Sequence, residues 1–146
     1  METYAPCPKC NRLNRVPLKS EQGGSRPEPV CGACKIALPV HGAVVEVNAE
    51  GLQKLIDKSP IPVVVDFWAP WCGPCRMFAP TYMQVAGAHS GSYVFAKVDT
   101  EANPVVGDRH RIRSIPTLAI FKNGTEVQRQ SGAMNESGLK QWLGIR

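Results

Sequence analysis

The sequence has 146 residues, of which 43% are hydrophobic and 20% are charged, and its formal net charge is +5. This composition fits neither a disordered nor a membrane-spanning protein, since no apolar run approaches the roughly 20 residues that cross a bilayer. The length suits one domain of ordinary size with a small appendage. A mild basic balance is typical of a solvated surface, so nucleic-acid binding is disfavoured.

The six cysteines form three C-x-x-C pairs. Cys7 and Cys10 stand where the hydrophobic region of a secretory signal would lie, which predicts a cytoplasmic protein. Structural disulfides are rare in that reducing compartment, whereas metal binding and redox chemistry by cysteine are common. The cysteines are therefore expected to be metal ligands or redox-active thiols.

Residues 1–38 are poor in bulky apolar side chains and are expected to need a covalent or metal staple in order to fold. Their periodicity is broken at Pro17, Gly23, Gly24, Pro27 and Pro29. Two C-x-x-C pairs twenty residues apart have the spacing of a four-cysteine zinc site. We predict a zinc ribbon with one structural Zn²⁺ per chain, bound by Cys7, Cys10, Cys31 and Cys34. Two local disulfides, or four free thiols in a disordered tail, are the alternatives.

Residues 39–146 have the pattern of a compact α/β domain. After a linker around residues 39–42, an apolar run predicts a strand over residues 43–47. Asn48 is a suitable N-cap for a helix from Ala49 to about Lys58, because its side-chain oxygen can accept a bond from an unpaired N–H group of the first turn.

Val63 to Trp68 form an apolar run typical of a strand buried on both faces. Asp66 interrupts it, and a carboxylate in apolar surroundings is costly unless it is paired or protonated. One interpretation is that Asp66 points to solvent at the end of the strand. We favour a buried carboxyl near Cys75 with a raised pKa, which takes and returns the proton of that thiol.

The stretch Trp71-Cys72-Gly73-Pro74-Cys75 follows this strand and precedes a helical pattern. Cys72 is thereby placed at a helix N-terminus, where unpaired N–H groups and the helix dipole favour a thiolate. A thiolate attacks disulfides, and Cys75, one turn further on, can close a ring with Cys72. The stretch predicts a redox-active dithiol.

The active-site helix is predicted to run from Cys72 to about His89, with a kink at Pro80. Its predicted inward side chains are Met77, Phe78, Tyr82, Val85 and Ala86. Downstream, the pattern predicts a strand over 93–98, a short helix from Pro104 to about His110, a hairpin of strands 118–121 and 126–130 with a turn at Asn123-Gly124, and a last helix from Asn135.

Taken in order, motifs from about Val44 to Leu143 resemble the thioredoxin family. These motifs are Asp66-Phe67-Trp68-Ala69, Trp71 to Cys75, Arg76-Met77-Phe78-Ala79-Pro80, Lys97-Val98-Asp99, Ile115-Pro116-Thr117, Phe121-Lys122-Asn123-Gly124 and Gly132. With a zinc ribbon in front, the chain resembles the two-domain bacterial thioredoxins of the thioredoxin 2 type. The resemblance implies a thioredoxin fold over residues 39–146, a mixed central sheet flanked by helices, and a cis peptide before Pro116.

The resemblance implies a protein-disulfide reductase. Cys72 would attack a protein disulfide, and Cys75, assisted by Asp66 and Lys97, would release the reduced product. Substrate would lie on an apolar rim made of Trp71, Gly73, Pro74, Ile115, Pro116, Gly132 and Ala133. A thioredoxin reductase using NADPH would restore the dithiol, so no organic cofactor is expected on this chain, which we expect to be a monomer without membrane partners.

Three residues depart from the family pattern. His110 stands where an aromatic residue is common, Ser114 where glycine is common, and Ser131 where an apolar residue is frequent. These departures leave the substrate preference open. His110 itself is interpreted as a surface or packing residue.

Two other functions are compatible with such a fold. A redox-inert holdase or adaptor would lack one of the two active-site cysteines, and both are present here. A disulfide-forming oxidase or isomerase is disfavoured, because the Gly73-Pro74 dipeptide resembles that of the reducing members. The ribbon is either an oxidant sensor that releases zinc or a docking or stabilising appendage.

Overall fold

The structure is a computed structural model that describes residues 2–18 and 28–145. The predicted breaks at Gly23, Gly24 and Pro27 lie outside these residues. Within the described ranges, no helix is long and apolar enough to cross a membrane.

The N-terminal segment forms a small antiparallel sheet that packs on the rest of the chain. Strand β1 (Glu2–Pro6) pairs with β2 (Leu13–Pro17), and a bridge joins Val30 to Ala37. Most of its buried apolar side chains share one cluster with the larger part of the protein; they are Ala5, Cys7, Val16, Cys31 and Leu38. The N-terminal segment therefore packs on the apolar core of the larger part of the protein. The prediction from sequence, which relied on a metal or covalent staple, did not include this contribution.

The larger part of the protein is built on a six-stranded sheet in the spatial order β3-β4-β6-β5-β7-β8. The strands are β3 (Val40–His41), β4 (Val44–Val47), β5 (Val63–Trp68), β6 (Val94–Asp99), β7 (Thr117–Lys122) and β8 (Thr125–Ser131). Strands β4, β6 and β5 are parallel, whereas β3, β7 and β8 each run antiparallel to their neighbours. The sheet is mixed, as predicted.

Strand β3 lies where a linker was predicted, and that prediction was wrong. Val40 and His41 pair with Val45 and Val44 across a turn at Gly42, whose φ of +62° suits glycine. The hairpin turn at residues 123–124 was predicted correctly, since Asn123 and Gly124 both have positive φ, 52° and 82°.

Within residues 2–18 and 28–145, four helices cover the sheet: α1 (Ala49–Lys58), α2 (Gly73–His89), α3 (Pro104–Arg109) and α4 (Glu136–Leu143). Asn48 caps α1 as predicted, because its Oδ1 accepts the Gly51 N–H at 2.8 Å. Apolar residues of α1 and α3 share a cluster with Val63, Val65 and Phe67 of β5, whereas those of α2 and α4 share a cluster with Val64. The two helix pairs therefore cover opposite faces of the sheet.

Helix α2 turns its buried side chains towards the sheet, with one correction to the prediction. Phe78, Tyr82, Val85 and Ala86 are buried as expected. Met77 was predicted to point inwards, but its side chain is 81% exposed. The buried residues of α2, which are Cys75, Phe78, Tyr82, Val85 and Ala86, form one stripe along the helix, and at about 100° per residue Met77 falls outside it.

Candidate active site and metal centre

The dithiol lies at the junction of β5 and α2. Cys72 is the N-cap of α2, and it is joined to Cys75 by a disulfide with a Cα–Cα distance of 5.3 Å. The backbone N–H of Cys75 donates to Cys72 Sγ at 3.2 Å. Cys72 thus lies at a helix N-terminus, as predicted, and such an N–H group would stabilise negative charge on its sulfur once the disulfide is reduced.

The loop before β7 faces the dithiol. The Ile115–Pro116 peptide bond is cis, and Cys72 Sγ lies 3.7 Å from the Ile115 carbonyl oxygen. Ile115 packs against the apolar cluster of Ala69, Cys72 and Cys75. In the described parts of the chain, the Ile115 N–H donates no hydrogen bond. A bound peptide could therefore pair with this main chain as an added strand.

The surface around the dithiol combines predicted residues with others that the sequence did not indicate. Trp71 is 68% exposed, and Pro74 and Ala133 are exposed as well. Gly132 adopts φ +95° and donates its N–H to the Pro116 carbonyl at 2.8 Å. A groove of about 210 Å³ runs between Trp71 and Ile115, and its further walls come from Thr100, Ile112, Arg113 and Ser114. Closeness in sequence to Ile115 could have indicated the last three, but nothing marked Thr100.

Two of the departures from the family pattern have defined surroundings. The His110 ring packs on Phe67 and Phe121, with centroids 5.5 and 5.6 Å away, which agrees with a packing role. Ser131 lies opposite Thr117, and their hydroxyl oxygens are 3.2 Å apart. Ser131 is exposed next to Gly132, so it adds a hydroxyl to this edge of the surface.

Asp66 is buried on the face of the sheet that α2 covers. Its exposed fraction is 3%, and Oδ1 has no hydrogen-bond partner among the described atoms. Burial raises the pKa of Asp66 to about 7, although the Lys97 charge acts to lower it. Besides burial, the Asp66 charge helps to raise the pKa of Tyr82, a residue of α2, so the carboxyl lies beneath that helix. The alternative that Asp66 points to solvent at the end of the strand is wrong, since its side chain is almost completely buried.

Lys97 enters the same region from β6. It lies opposite Asp66 in the parallel register of β5 and β6, and its ammonium sits 4.8 Å from the centre of the Trp68 ring. The structure therefore brings Asp66 and Lys97 together on the side of the sheet where Cys75 is buried.

The four cysteines of the N-terminal segment form a second cluster. Their sulfurs all lie within 4.8 Å of one another, and all four thiols are free. The shortest contacts join the two C-x-x-C pairs, Cys7 to Cys34 at 3.3 Å and Cys10 to Cys31 at 3.7 Å. This arrangement contradicts both alternatives, local disulfides and a disordered tail, and it could bind a metal ion.

Each C-x-x-C pair sits on the same kind of turn. The first cysteine of each pair receives a backbone bond from the residue four positions on and donates one to the residue five positions on. Asn11 and Lys35 occupy equivalent positions, with φ of 64° and 67°. Backbone N–H groups, first that of Cys34 and then that of Ala33, lower the pKa of Cys31 to about 6 against the effect of burial. The turn after Cys31 therefore favours the thiolate of that residue, which is the form that binds metal.

Asn14 joins the two turns, a role that nothing in the sequence indicated. Its amide nitrogen donates to the carbonyls of Ala5 and Arg12 at 3.3 and 3.0 Å, and its Oδ1 accepts the Gly32 N–H at 3.0 Å. One buried side chain thus fixes the position of the second cysteine pair relative to the first.

Comparison with known proteins agrees with this geometry. The thioredoxin family model matches residues 43–144. Thioredoxin C-3 of Corynebacterium nephridii is 44% identical over 138 residues, which cover 94% of this chain and 90% of the relative. Thioredoxin 1 of a Nostoc species is 50% identical over 91 residues, 62% of this chain and 84% of the relative. The chloroplastic M-type thioredoxin of Chlamydomonas reinhardtii is 34% identical over 127 residues, 87% and 91% of the two chains.

The family match and the site geometry coincide at the same residues. The match spans strands β4 to β8 and the helices that position the disulfide, while the alignment with Thioredoxin C-3 is long enough to take in most of the four-cysteine segment as well. A disulfide at the start of α2 and a cis proline beside it lie within the matched range. The chain therefore belongs to the thioredoxin family of thiol–disulfide oxidoreductases.

Proposed function

We propose that this protein reduces protein disulfides, with Cys72 as the nucleophile and Cys75 as the resolving cysteine. The Cys72 thiolate attacks one sulfur of the substrate disulfide, the substrate S–S bond breaks, and one substrate thiolate leaves. The Cys75 thiolate then attacks Cys72 and releases the second substrate thiolate. The substrate gains two electrons and two protons, and the Cys72–Cys75 disulfide forms. The observation that carries this proposal is the Cys75 N–H directed at Cys72 Sγ at the helix N-terminus.

Asp66 is proposed to handle the proton of Cys75, with Lys97 as the neighbouring cation. A carboxyl with a pKa of about 7 can both accept and return a proton at neutral pH. The unpartnered Oδ1 leaves a position for that proton.

The substrate is proposed to bind as an extended strand along Ile115, next to the cis Pro116. In the described parts of the chain the Ile115 N–H has no acceptor, and this group together with the groove beside Trp71 supports this mode. Gly73, Pro74, Gly132 and Ala133 complete the surface. At Gly73 an added Cβ would meet nothing within 4 Å, so a substrate backbone has room to approach there.

The dithiol is proposed to be regenerated by a thioredoxin reductase that uses NADPH, in a reducing cytoplasm where the protein acts as a monomer. Such a compartment suits a chain that keeps four thiols free beside its active disulfide.

The four-cysteine cluster is proposed to hold one structural Zn²⁺, within a ribbon of residues 1–38. In a tetrahedral Zn²⁺ site with Zn–S bonds of about 2.3 Å, the sulfurs lie about 3.8 Å apart. The cluster already approaches this spacing, so the donor set fits the ion. Four protein ligands leave no open position, and the metal would supply folding stability rather than catalysis.

Cys10 is the exposed member of this cluster, whereas Cys7 and Cys31 are buried. An oxidant would reach Cys10 first, which supports a redox-responsive ribbon. Peroxide treatment followed by re-reduction of the active-site pair tests this: zinc release with altered reductase activity is expected. Zinc release with unaltered activity would leave the ribbon as a separate docking or stabilising module.

The reductase proposal is tested with single-cysteine variants on an insulin-type disulfide substrate. Cys72→Ser should abolish turnover, whereas Cys75→Ser should accumulate a mixed disulfide that a small thiol reductant releases. Asp66→Asn should slow the resolving step more than the first attack. Normal turnover by either cysteine variant would refute the scheme.

A further inference from the structure

Asp66, Trp68 and Lys97 lie together on one face of the sheet. Asp66 and Trp68 are two residues apart on β5, so their side chains project to the same side. Lys97 is the partner of Asp66 in the parallel register with β6. This is the face that carries Val64 and Phe95 in the cluster with α2.

Lys97 does not pair with Asp66, although it is the nearest cation in the register. Its ammonium lies over the Trp68 ring, 4.8 Å from the centroid, in the geometry of a cation–π contact. Among the described residues, no ion pair within 4.0 Å joins Lys97 to Asp66, and Asp66 Oδ1 has no partner.

Trp68 is anchored through both its side chain and its backbone. The side chain packs against the cluster of Ala69, Cys72 and Cys75, and the backbone carbonyl accepts bonds from the Thr100 N–H at 2.8 Å and Thr100 Oγ1 at 3.1 Å. The ring therefore offers an aromatic face beside the dithiol.

We propose that Trp68 is a positioning residue, whose ring keeps the Lys97 ammonium out of ion-pair contact with Asp66 and so leaves that carboxyl unpaired beneath the dithiol. In the part of the chain that the structure describes, the groups set against Asp66 from α2 and β7 cannot replace Lys97 as a counter-charge. Tyr82 of α2 is a neutral phenol, and Leu118, the register partner on β7, is apolar.

Removal of the ring should therefore change the protonation of Asp66. An ammonium that moves to within about 4–6 Å of a carboxylate lowers its pKa by about 1–3 units. Asp66 would then be ionised at neutral pH and could no longer store a proton. A loss of turnover from this change would rest on the proposed function, in which Asp66 handles the proton of Cys75. The change in the Asp66 pKa does not rest on it.

The experiment is a ¹³C-carboxyl NMR titration of Asp66 in the full-length oxidised protein, in which the two active-site thiols do not titrate. Wild type is compared with Trp68→Leu, Trp68→Phe, Lys97→Met and the double variant Trp68→Leu/Lys97→Met. Trp68→Leu should lower the Asp66 pKa by about 1–3 units. Trp68→Phe, which keeps an aromatic face, should retain most of the wild-type value.

The variants that carry Lys97→Met separate the effect of the Lys97 charge on the Asp66 pKa from the effect of a change in the burial of Asp66. Water admitted by the smaller leucine would lower the Asp66 pKa with or without Lys97, so only the excess shift seen with Lys97 supports the proposal. An equal shift in both backgrounds, or no shift, would overturn it. If Trp68→Leu does not fold, Trp68→Phe takes its place in the same comparison with and without Lys97. The extra lowering of the Asp66 pKa seen with Lys97 should then be smaller but of the same sign.

The two proposals fail separately in this design. A wild-type protein that shows the predicted coupling but reduces no disulfide would contradict the proposed function alone. A protein that reduces disulfides but shows no coupling would contradict the role of Trp68 alone.

Discussion

A Cβ atom placed on Gly51 of α1 would lie 3.0 Å from Cγ of Pro6 in β1. It would also lie 3.2 Å from Asn48 Oδ1, the atom that caps this helix. Pro6 is buried, and its ring cannot rotate away as a flexible side chain could. The strand that leads into the first cysteine pair is thus seated directly on a helix of the thioredoxin fold.

Gly51→Ala should destabilise the protein although alanine is the better helix former. An exposed helical Gly→Ala change gains about 0.5–1 kcal/mol, whereas overpacking at a rigid contact costs about 1–3 kcal/mol. A net loss of about 1–2 kcal/mol is expected in urea unfolding, with faster hydrogen exchange in β1 and β2. Gly87→Ala in α2 is the matched control, because nothing lies within 4 Å of its added Cβ. It should be stabilising, and equal effects of the two changes would contradict the contact.

Asp66→Asn should stabilise the protein at alkaline pH but not in acid. The folded-state pKa of Asp66 is raised to about 7, so between about pH 4 and 7 the native state holds a proton that the unfolded state has released. Stability therefore falls as pH rises through this window and levels off above it. At about 1.4 kcal/mol per pKa unit, the variant should gain about 2–4 kcal/mol relative to wild type between pH 4 and pH 8. Urea unfolding across this range measures it, and a constant difference would contradict the burial of an ionisable carboxyl.

Tyr82→Phe should loosen the contact between α2 and the centre of the sheet. The buried Tyr82 hydroxyl lies 2.7 Å from the Ala96 carbonyl of β6 and 3.1 Å from the Val64 carbonyl of β5. Its loss should cost about 1–2 kcal/mol in urea unfolding, in the range of a buried hydrogen bond. Tyr93→Phe removes a similar bond, to the Leu143 carbonyl at 2.9 Å, but in a partly exposed site. Water can replace that bond, so the Tyr93 variant should lose less; the reverse order would count against the prediction.

Asn14→Ala should weaken metal binding by the four cysteines without removing a ligand. Asn14 is the side chain that ties the two cysteine turns together. Loss of such an outer-shell contact typically lowers metal affinity about 10–100-fold. Competition with a chromophoric chelator measures the change. Arg15→Ala, which removes only an exposed ion pair with Glu2, is the control and should bind zinc as wild type does. Equal affinities in the two variants would exclude a role for Asn14.

Features encoded within a few consecutive residues were predicted closely from the sequence. Strand β5 was predicted with the bounds that the structure shows, as was helix α1, whose Asn48 cap is explicit in the chain. The dithiol at the start of α2 and the four-cysteine cluster followed from cysteine spacing. Each of these signals is short-range, because caps, turns and C-x-x-C pairs depend on neighbours one helical turn away.

The errors occurred where the outcome depends on distant residues. The two-residue strand β3 has almost no pattern of its own and exists only because β4 offers it an edge. The exposure of Met77 follows from how α2 rotates against the sheet, which an apolar side chain does not reveal. Nor could the sequence show that β1 would bury its inner side on α1.

The chain by itself determined which chemical groups the site contains: two cysteines at a helix start, a carboxyl in an apolar strand and a lysine on a later one. Only the tertiary structure decided how the charges are arranged. The parallel register of β5 and β6 sets Lys97 opposite Asp66, while the Trp68 ring two residues away takes up its ammonium. Asp66 and Trp68 compete for the ammonium of Lys97, which lies some thirty residues further along the chain. Packing around the dithiol decides between them.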